Sequence, residues 1–206
     1  EIQRQNAAVA KGAVEALSSI GWELKEEEIK KGLAKAKWPG RLQSATWNNL
    51  PLLIDGAHNP QAAKQLSNER NSWSKEDEGV TWVIGIQENK DAPKMLRVLV
   101  KENDIAWVVP IPGHKSWSKI QLEQYCPDLR SKLKYAKSVE DCFSKLHSKE
   151  WPSPPPVISG SLYLIGNLFL NNVIMISGVD ASYAPTYGNG QINYGNNYYF
   201  NSNHNI

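Results

Sequence analysis

The stretch LPLLIDGAHNPQAAKQL, residues 50–66, is informative about the fold of this chain. It begins with an apolar run, passes through Asp55 and His58, and continues beyond Pro60 into a segment of helical character. The continuous apolar run predicts a strand that is buried on both faces. Pro60 suits the first position of a helix, with Asn59 as the N-cap. The stretch is therefore typical of a strand, a short turn and a helix in an α/β protein.

The same alternation continues along the chain. Further short apolar runs predict strands at 80–84, 105–109 and 157–158. Helical patterns accompany these strands, at 60–71, 92–101, 118–125, 138–148 and 161–170. Strands that alternate with helices predict βαβ units. We therefore expect a Rossmann-like, mostly parallel sheet that is flanked by helices.

Both ends of the chain differ from this pattern. Apolar residues at helical spacing predict one helix over 2–19, and KEEEIKKGLAKAKW predicts a second helix before Pro39. We assign residues 1–37 to this helical part and residues 38–170 to the α/β domain. Residues 171–206 are rich in Asn, Gly and Tyr, cannot supply a packed apolar face, and are expected to be disordered.

Composition excludes several classes of protein. The 23 basic and 21 acidic residues form no basic stripe, so no nucleic-acid partner is expected. Cys126 and Cys142 lack the spacing of metal ligands, which predicts no metal site and favours a reducing, cytoplasmic location. No apolar run is long enough to span a membrane. The chain begins without Met, and we expect it to be part of a longer protein.

Asp55 and His58 follow the predicted strand at its carboxyl end, which is where ligands bind in open α/β sheets. Two interpretations are open. In the first, the two side chains contribute to a ligand site. In the second, Asp55 accepts hydrogen bonds from turn amides and His58 is an ordinary surface residue.

Several motifs, taken together, resemble the folylpolyglutamate synthase/dihydrofolate synthase family, a branch of the Mur-ligase superfamily. WPGRLQ followed closely by LLIDGAHNP is similar to the C-terminal domain of that family, and the resemblance continues through later segments: VIGIQENKD (83–91), PIPGHKSW (110–117) and SGSLYLIGNLF (159–169). QRQNAAVA (3–10) resembles the end of the family's central domain. The resemblance implies a Mur-ligase C-terminal fold, preceded by two helices that remain from the central ATPase domain.

The resemblance also implies a reaction. ATP phosphorylates a carboxylate of folate or dihydropteroate, and the amine of L-glutamate then attacks the acyl phosphate to form an amide. Such chemistry requires neutralisation of phosphate charge. No phosphate-binding loop of the form GxxxxGK[ST] occurs in the chain. ATP and Mg²⁺ are therefore expected to bind mainly to a preceding N-terminal ATPase domain, and the chain alone is expected to be inactive.

Three nucleotide-binding residues are implied by the same resemblance. Arg41 would reach a phosphate, because its guanidinium is planar and permanently charged. Asp55 would position the nucleotide, and His58 would lie against it. The open alternative for Arg41 is a solvated surface position.

Four weaker candidates follow. Ser161 opens the last predicted helix and would lie at the glutamate end of the pocket. Lys90, Asp91 and His114 are candidates for substrate or interdomain contacts. Helix capping is an equally good explanation for Lys90 and Asp91. A plain loop position is favoured for His114, because the sequence specifies no acidic partner for it.

Two other classes of function stay open. The chain could act as a free-standing module that binds a nucleotide or a partner without catalysis. It could instead be an assembly protein whose association depends on residues 171–206.

Overall fold

A computed structural model describes residues 2–22, 24–35, 40–75, 77–177, 186–188 and 191–193. The chain divides into two compact units, Glu1–Trp38 and Pro39–Ile206. In the first unit, α1 (Ile2–Leu17) continues into a 3₁₀ turn that ends at Gly21, whose φ of +89° suits glycine. Helix α2 (Glu26–Lys35) has three glutamates in its first turn and a lysine in its last, as the helix dipole favours. Both predicted helices are therefore confirmed.

The second unit alternates strands and helices. Its elements, in chain order, are β1 (Gln43–Trp47), β2 (Leu50–Ile54), α3 (Pro60–Glu69), β3 (Thr81–Ile84), α4 (Ala92–Leu99), β4 (Ile105–Val108), α5 (Lys119–Tyr125), β5 (Leu133–Tyr135), α6 (Val139–His147), β6 (Val157–Ser159), α7 (Leu162–Leu170) and β7 (Met175–Ile176). Two short strands, β8 (Thr186–Gly188) and β9 (Gln191–Asn193), pair separately. All four predicted strands and five predicted helices of this unit are present.

The first seven strands form one sheet in the order β5-β4-β3-β6-β2-β1-β7. Each neighbouring pair from β5 to β2 is parallel, whereas β1 is antiparallel to both β2 and β7. The predicted Rossmann-like, mostly parallel sheet is thus confirmed.

The sequence patterns did not predict β1. It forms a hairpin with β2, with Trp47 opposite Leu50 at the turn and Gln43 opposite Ile54 at the far end. Asn48 and Asn49 make the two-residue turn, with φ of +48° and +65°. Positive φ at both positions matches the hairpin turns whose twist suits the strands, and asparagine tolerates this conformation.

The sheet also extends beyond residue 170, where the predicted α/β domain ended. Strand β7 pairs with β1, and Ile174 and Ile176 are buried in the core. Residues 171–177 are therefore ordered, which corrects the predicted boundary of the tail. Most of the remaining tail lies outside the described residues.

Helices cover the sheet on both faces. Helices α3, α4 and α5 pack on one face, and α6 and α7 pack on the other. Strand β3 contributes to both cores, since Trp82 and Ile84 face the first and Val83 faces the second. Burial on both faces explains why the strands read as continuous apolar runs rather than alternating ones.

The direction of the connections changes at β6, so a crevice is expected at the end of this strand. The chain leaves β6 into α7 on the second face, whereas β2 and β3, which flank β6, are followed by α3 and α4 on the first face. Neighbouring strands whose connections diverge in this way leave an opening at their carboxyl ends, and ligands of open α/β sheets bind there.

No helix in the described part of the chain is both long and apolar enough to cross a membrane.

Candidate functional site

Asp55 lies at this crevice, directly after β2, and is 8% exposed. One carboxylate oxygen accepts a hydrogen bond from the Ala57 amide and the other from the Leu42 amide, both at 2.9 Å. Asp55 therefore accepts hydrogen bonds from backbone amides of the turn, as the second interpretation from the sequence predicted. These two bonds use about half of the acceptor positions of a carboxylate, so each oxygen can accept another donor.

The surroundings of Asp55 disfavour its charged form. Burial raises the pKa of the carboxyl above its usual range, although hydrogen bonds from Leu42 and Ala57 and the charge of Arg41 act in the opposite direction. A carboxyl that is buried at a crevice and incompletely satisfied is typical of functional sites.

Arg41 lies beside this carboxyl, because its neighbour Leu42 donates to Asp55. It is half-buried, and its charge acts on Asp55. Among the described residues, no hydrogen bond or ion pair joins the two side chains. The guanidinium donors of Arg41 are thus not consumed by Asp55.

His58 is half-buried in the same turn. Its Nδ1 lies 2.8 Å from the Gly56 carbonyl oxygen. A carbonyl can only accept, so Nδ1 carries the proton in this contact and Nε2 is the acceptor of the neutral ring. Asn59 caps α3 by accepting a hydrogen bond from the Ala62 amide at 2.8 Å, as predicted.

The turn after β6 is hydrogen-bonded to the ends of β2 and β3. The Gly160 amide donates to the Ala57 carbonyl at 3.0 Å, and the Gly85 amide donates to the Ser159 carbonyl at 3.2 Å. Gly160 has φ of +100°, and a Cβ at this position would lie 2.5 Å from the Gly85 carbonyl oxygen. Only glycine fits here without displacing the backbone. The ends of β2, β3 and β6 are therefore fixed to one another.

Gly56 is needed for a different reason, which is the close approach of a neighbouring side chain. A Cβ on Gly56 would lie 2.2 Å from Cδ2 of Leu162, in the first turn of α7. The close approach that glycine permits is therefore made by α7, and it brings that helix against the Asp55 turn.

Ser161 is buried and caps α7. Its hydroxyl oxygen accepts hydrogen bonds from the Tyr163 and Leu164 amides, at 3.1 and 3.4 Å. Capping explains this serine locally. The hydroxyl proton is not used by the cap, and the role of Ser161 at a glutamate subsite stays a prediction.

Asp91 is a helix cap too. It accepts a hydrogen bond from the Lys94 amide at 3.0 Å and so begins α4, as the capping alternative predicted. The Lys90 carbonyl accepts a hydrogen bond from Nε1 of Trp117 at 2.9 Å. That bond fixes the loop after β3 to the loop after β4.

His114 lies on the loop after β4 and reaches α7. Its ring lies against that of Tyr163 in a tilted arrangement, with 4.3 Å between ring centroids and 38° between planes. His114 Nδ1 also lies 3.3 Å from Nε2 of Gln87. Tyr163 was not among the predicted site residues. The sequence feature that could have identified Tyr163 is its position just after SGS, near the start of the last predicted helix.

The described residues contain no group of three His, Cys, Asp or Glu side chains that could hold a metal ion. Asp55 is the carboxylate buried at the crevice, and it belongs to no such group. The crevice therefore does not fit a Mg²⁺ ion held by this part of the chain alone. Its basic and polar groups fit a phosphate and a hydroxyl-bearing ligand better.

The comparison with protein families identifies residues 40–172 with the model described as "Dihydrofolate synthetase, C-terminal domain". A curated relative, the "Probable dihydrofolate synthetase" of Schizosaccharomyces pombe, is 28% identical over 181 residues, which cover 82% of this chain and 42% of the relative. The folylpolyglutamate synthase of Lacticaseibacillus casei is 27% identical, with 80% of this chain and 37% of the relative covered.

Solved structures show the same likeness. E. coli FolC in complex with DHPP and ADP superposes with a TM-score of 0.58 and 26% identity, over 79% of this chain and 37% of FolC. A bifunctional folylpolyglutamate synthase/dihydrofolate synthase with Mn, AMPPNP and L-glutamate bound gives a TM-score of 0.57 and 25% identity, over 74% and 36% of the two chains. The chain spans about two fifths of the length of the curated relatives it matches. With residues 40–172 matched, it belongs to the family defined by the C-terminal domain of dihydrofolate synthetase.

Proposed function

We propose that the chain is the C-terminal portion of an ATP-dependent ligase that joins L-glutamate to folate or dihydropteroate through an acyl phosphate. The family match over residues 40–172 carries this proposal. The relatives bear the names of dihydrofolate and folylpolyglutamate synthases, and one similar structure contains ADP. The crevice described above supplies residues that suit a nucleotide.

Arg41, Asp55 and His58 bind the nucleotide in this proposal. Arg41 supplies a planar cation that can pair with two phosphate oxygens at once. Asp55 retains acceptor capacity on both oxygens, which suits a ribose hydroxyl or another neutral donor. His58 presents Nε2 beyond the turn, while the Gly56 carbonyl holds Nδ1. Together they orient the nucleotide rather than perform the chemistry.

The remaining machinery lies outside this chain. Residues 1–37 are the end of a central ATPase domain, and ATP and Mg²⁺ are bound mainly by the N-terminal part of the protein. Bound Mg²⁺ would neutralise phosphate charge there, as phosphoryl transfer requires. The chain covers only 42% and 37% of the length of two relatives, which supports this division. The isolated chain is therefore inactive as a ligase.

Ser161, Lys90, Asp91 and His114 have secondary roles. The Ser161 hydroxyl proton is available to donate to a glutamate carboxylate, since the cap uses only the oxygen. Lys90, Asp91 and His114 lie on the loops after β3 and β4 and face substrate or the N-terminal part.

The reaction takes place in the cytoplasm, which two buried free cysteines support.

Binding of ADP tests the nucleotide assignment. Isothermal titration calorimetry of the 206-residue chain with ADP should show saturable binding that Arg41→Gln weakens by about 10-fold, since one charge-assisted contact is removed. Arg130→Gln is the matched control, because Arg130 is an exposed arginine near the start of β5, at the opposite end of the sheet. Equal effects of the two substitutions would contradict the assignment.

An activity assay tests whether the chain lacks part of the catalytic machinery. The chain is incubated with ATP, Mg²⁺, L-glutamate and either dihydropteroate or tetrahydrofolate, and the amide product is measured by mass spectrometry. We expect no product from the chain alone. Glutamylation by the purified chain would contradict its incompleteness.

A further inference from the structure

Arg41 lies in a short loop that leads into β1, and the backbone of this loop is unusual on both sides of the arginine. Gly40 has φ of +78° and Leu42 has φ of +39°. Leucine rarely adopts a positive φ, and such a conformation persists only where the surrounding contacts enforce it. The contacts that hold this loop therefore determine where the Arg41 side chain begins.

Two hydrogen bonds attach the loop to the turn at the carboxyl end of β2. The Gly56 amide donates to the Gly40 carbonyl at 2.7 Å. The Leu42 amide donates to the Asp55 carboxylate at 2.9 Å. Neither bond involves the Arg41 side chain. The residues before and after Arg41 are thus both fixed to this turn.

Gln43, the first residue of β1, holds the same loop through its side chain. Its Oε1 accepts a hydrogen bond from the Gly40 amide at 3.1 Å. Its Nε2 donates to the Ser177 carbonyl at 2.8 Å. An amide N–H can only donate and a carbonyl can only accept, so a side chain in this place must offer an acceptor and a donor together. Glutamine meets that requirement, whereas ionised glutamate and lysine do not.

Ser177 anchors the far end of this bridge to the sheet. Its amide donates to the Ser44 carbonyl at 2.9 Å, next to the pairing of β7 with β1. Ser177 is 134 positions from Gln43 in the sequence and lies beyond residues 40–172, which the family model matches. The family match therefore does not by itself supply this contact. The end of β7 is connected in this way to the loop that carries Arg41.

We propose that Gln43 is a positioning residue that acts through Arg41. It fixes the loop so that the guanidinium is held ready for the phosphates of a nucleotide, and it does so without touching the ligand. The inference rests on the proposed function, in which Arg41 binds phosphate. A cation whose backbone is already fixed loses less conformational entropy when it pairs with a phosphate, so the contribution of Gln43 is expected in the affinity.

A double-mutant cycle of ADP binding, measured by isothermal titration calorimetry, tests this inference. Gln43→Met keeps the length of the side chain and removes both hydrogen bonds. We expect it to weaken ADP binding by about 5-fold, which is the size of one typical hydrogen bond. In the Arg41→Gln background the same substitution should cause no further loss, because the side chain that Gln43 positions is gone. A merely structural role would give the same loss in both backgrounds.

Gln121→Met is the matched control. The Gln121 side chain likewise accepts from a backbone amide, that of Ser118 at 2.8 Å, and donates to Glu88 at 3.2 Å. It holds the start of α5 rather than the Arg41 loop, so the ADP affinity should stay unchanged. Circular dichroism verifies that each variant folds. If Gln43→Met does not fold, Gln43→Thr replaces it, because threonine also lacks both bonds and suits a strand.

The outcomes separate this inference from the proposed function. If Arg41→Gln weakens ADP binding and Gln43→Met does not, or if the two losses add, Gln43 does not position Arg41 and the nucleotide site stands. Failure of both Gln43 variants to fold also overturns the inference, since Gln43 would then serve the fold itself. If Arg41→Gln has no effect, or the unaltered chain does not bind ADP, the phosphate role of Arg41 and the inference fail together.

Discussion

The sheet carries a buried aspartate at each end, and the two are satisfied very differently. Asp55 follows β2 at the carboxyl end and accepts two backbone amides. Asp104 precedes β4 at the opposite end, and its side chain has no exposed surface. Burial raises the pKa of Asp55, whereas the pKa of Asp104 is lowered.

Asp104 is surrounded by donors. Arg70 donates two hydrogen bonds of 2.7 Å, one to each oxygen. The Val80 amide, the Lys101 amide and Nε1 of Trp82 donate three more, at 2.8 to 2.9 Å. Burial alone would raise the pKa of Asp104, but the bond from Arg70 and the three other donors together lower it.

The contrast distinguishes a structural carboxylate from one that is available to a ligand. Asp104 has more donors than acceptor positions and joins the end of α3 to the starts of β3 and β4. Asp55 has room for further donors and lies at the crevice. Burial by itself therefore does not mark a functional aspartate, whereas burial with unfilled acceptor capacity does.

Replacement of Asp104 should have the largest effect on stability. Asp104→Ala leaves Arg70 buried without its anion, which should lower the free energy of unfolding by about 3–5 kcal/mol. Urea denaturation followed by circular dichroism measures this change. Asp128→Ala is the control, because Asp128 forms a similar two-bond pair with Arg97 that is exposed. If the two variants lose equal stability, burial does not explain the importance of Asp104.

A methyl group at Gly160 should have the next largest effect. Gly160→Ala places Cβ against the Gly85 carbonyl at a positive φ and should destabilise the fold by about 1–3 kcal/mol. Gly166→Ala in α7 should stabilise slightly, since no atom lies near its Cβ and alanine favours helix. Thermal unfolding compares the two variants. A neutral Gly160→Ala would show that the strand ends at the crevice are not rigidly fixed.

Ligand binding should respond to Asp55 and not to an aspartate on the surface outside the crevice. Asp55→Asn keeps the size of the side chain but removes its charge and one acceptor, and we expect about a 10-fold loss of ADP affinity. Asp128→Asn, at a surface pair outside the crevice, should leave the affinity unchanged. Calorimetry measures both. An Asp55 variant that is folded and binds ADP normally would reduce Asp55 to a turn residue.

The smallest expected effect, and the most direct comparison of the two aspartates, is the difference between their pKa values in an acid titration. The folded pKa of Asp104 lies below its unfolded value of 3.8, so its contribution to stability is present above that value and is lost as the pH falls through the folded pKa. The folded pKa of Asp55 lies above 3.8, so its contribution is complete below that value and is lost as the pH rises through the folded pKa. Carboxyl ¹³C NMR resolves the two groups. Titration of both on the same side of 3.8 would remove the distinction.

The elements that were predicted from sequence owe their form to neighbouring residues. Asn59 and Pro60 begin α3 by contacts within one helical turn, and the predicted strands β3 and β4 are mostly apolar. Strand β1 was not predicted, because QSATW is partly polar and becomes a strand through pairing with β2. The Asn48–Asn49 pair was the local sign of that hairpin.

The sequence patterns did not predict contacts between residues that are far apart in the sequence. Asp104 meets Arg70 and Trp82 across 34 and 22 positions of sequence, and nothing in KEND before β4 indicates this. Tyr163 resembles any helical tyrosine until the fold brings His114 to it. The candidate residues Arg41, Asp55 and His58 were implied by resemblance, and the proximity of Arg41 to Asp55 comes from the pairing of β1 with β2.

The hairpin of β1 and β2 constrains the number of residues between Arg41 and Asp55. Arg41 and Asp55 come together because the chain runs out from Arg41, turns at Asn48–Asn49 and returns one residue for each residue that left. A single insertion in one strand would shift the register and turn its side chains to the opposite face. Length changes that preserve the pairing must add or remove one residue on each side. Related chains with a turn of the same size should therefore separate their arginine and aspartate by 14 residues, as here, or by a number that differs from it by a multiple of two.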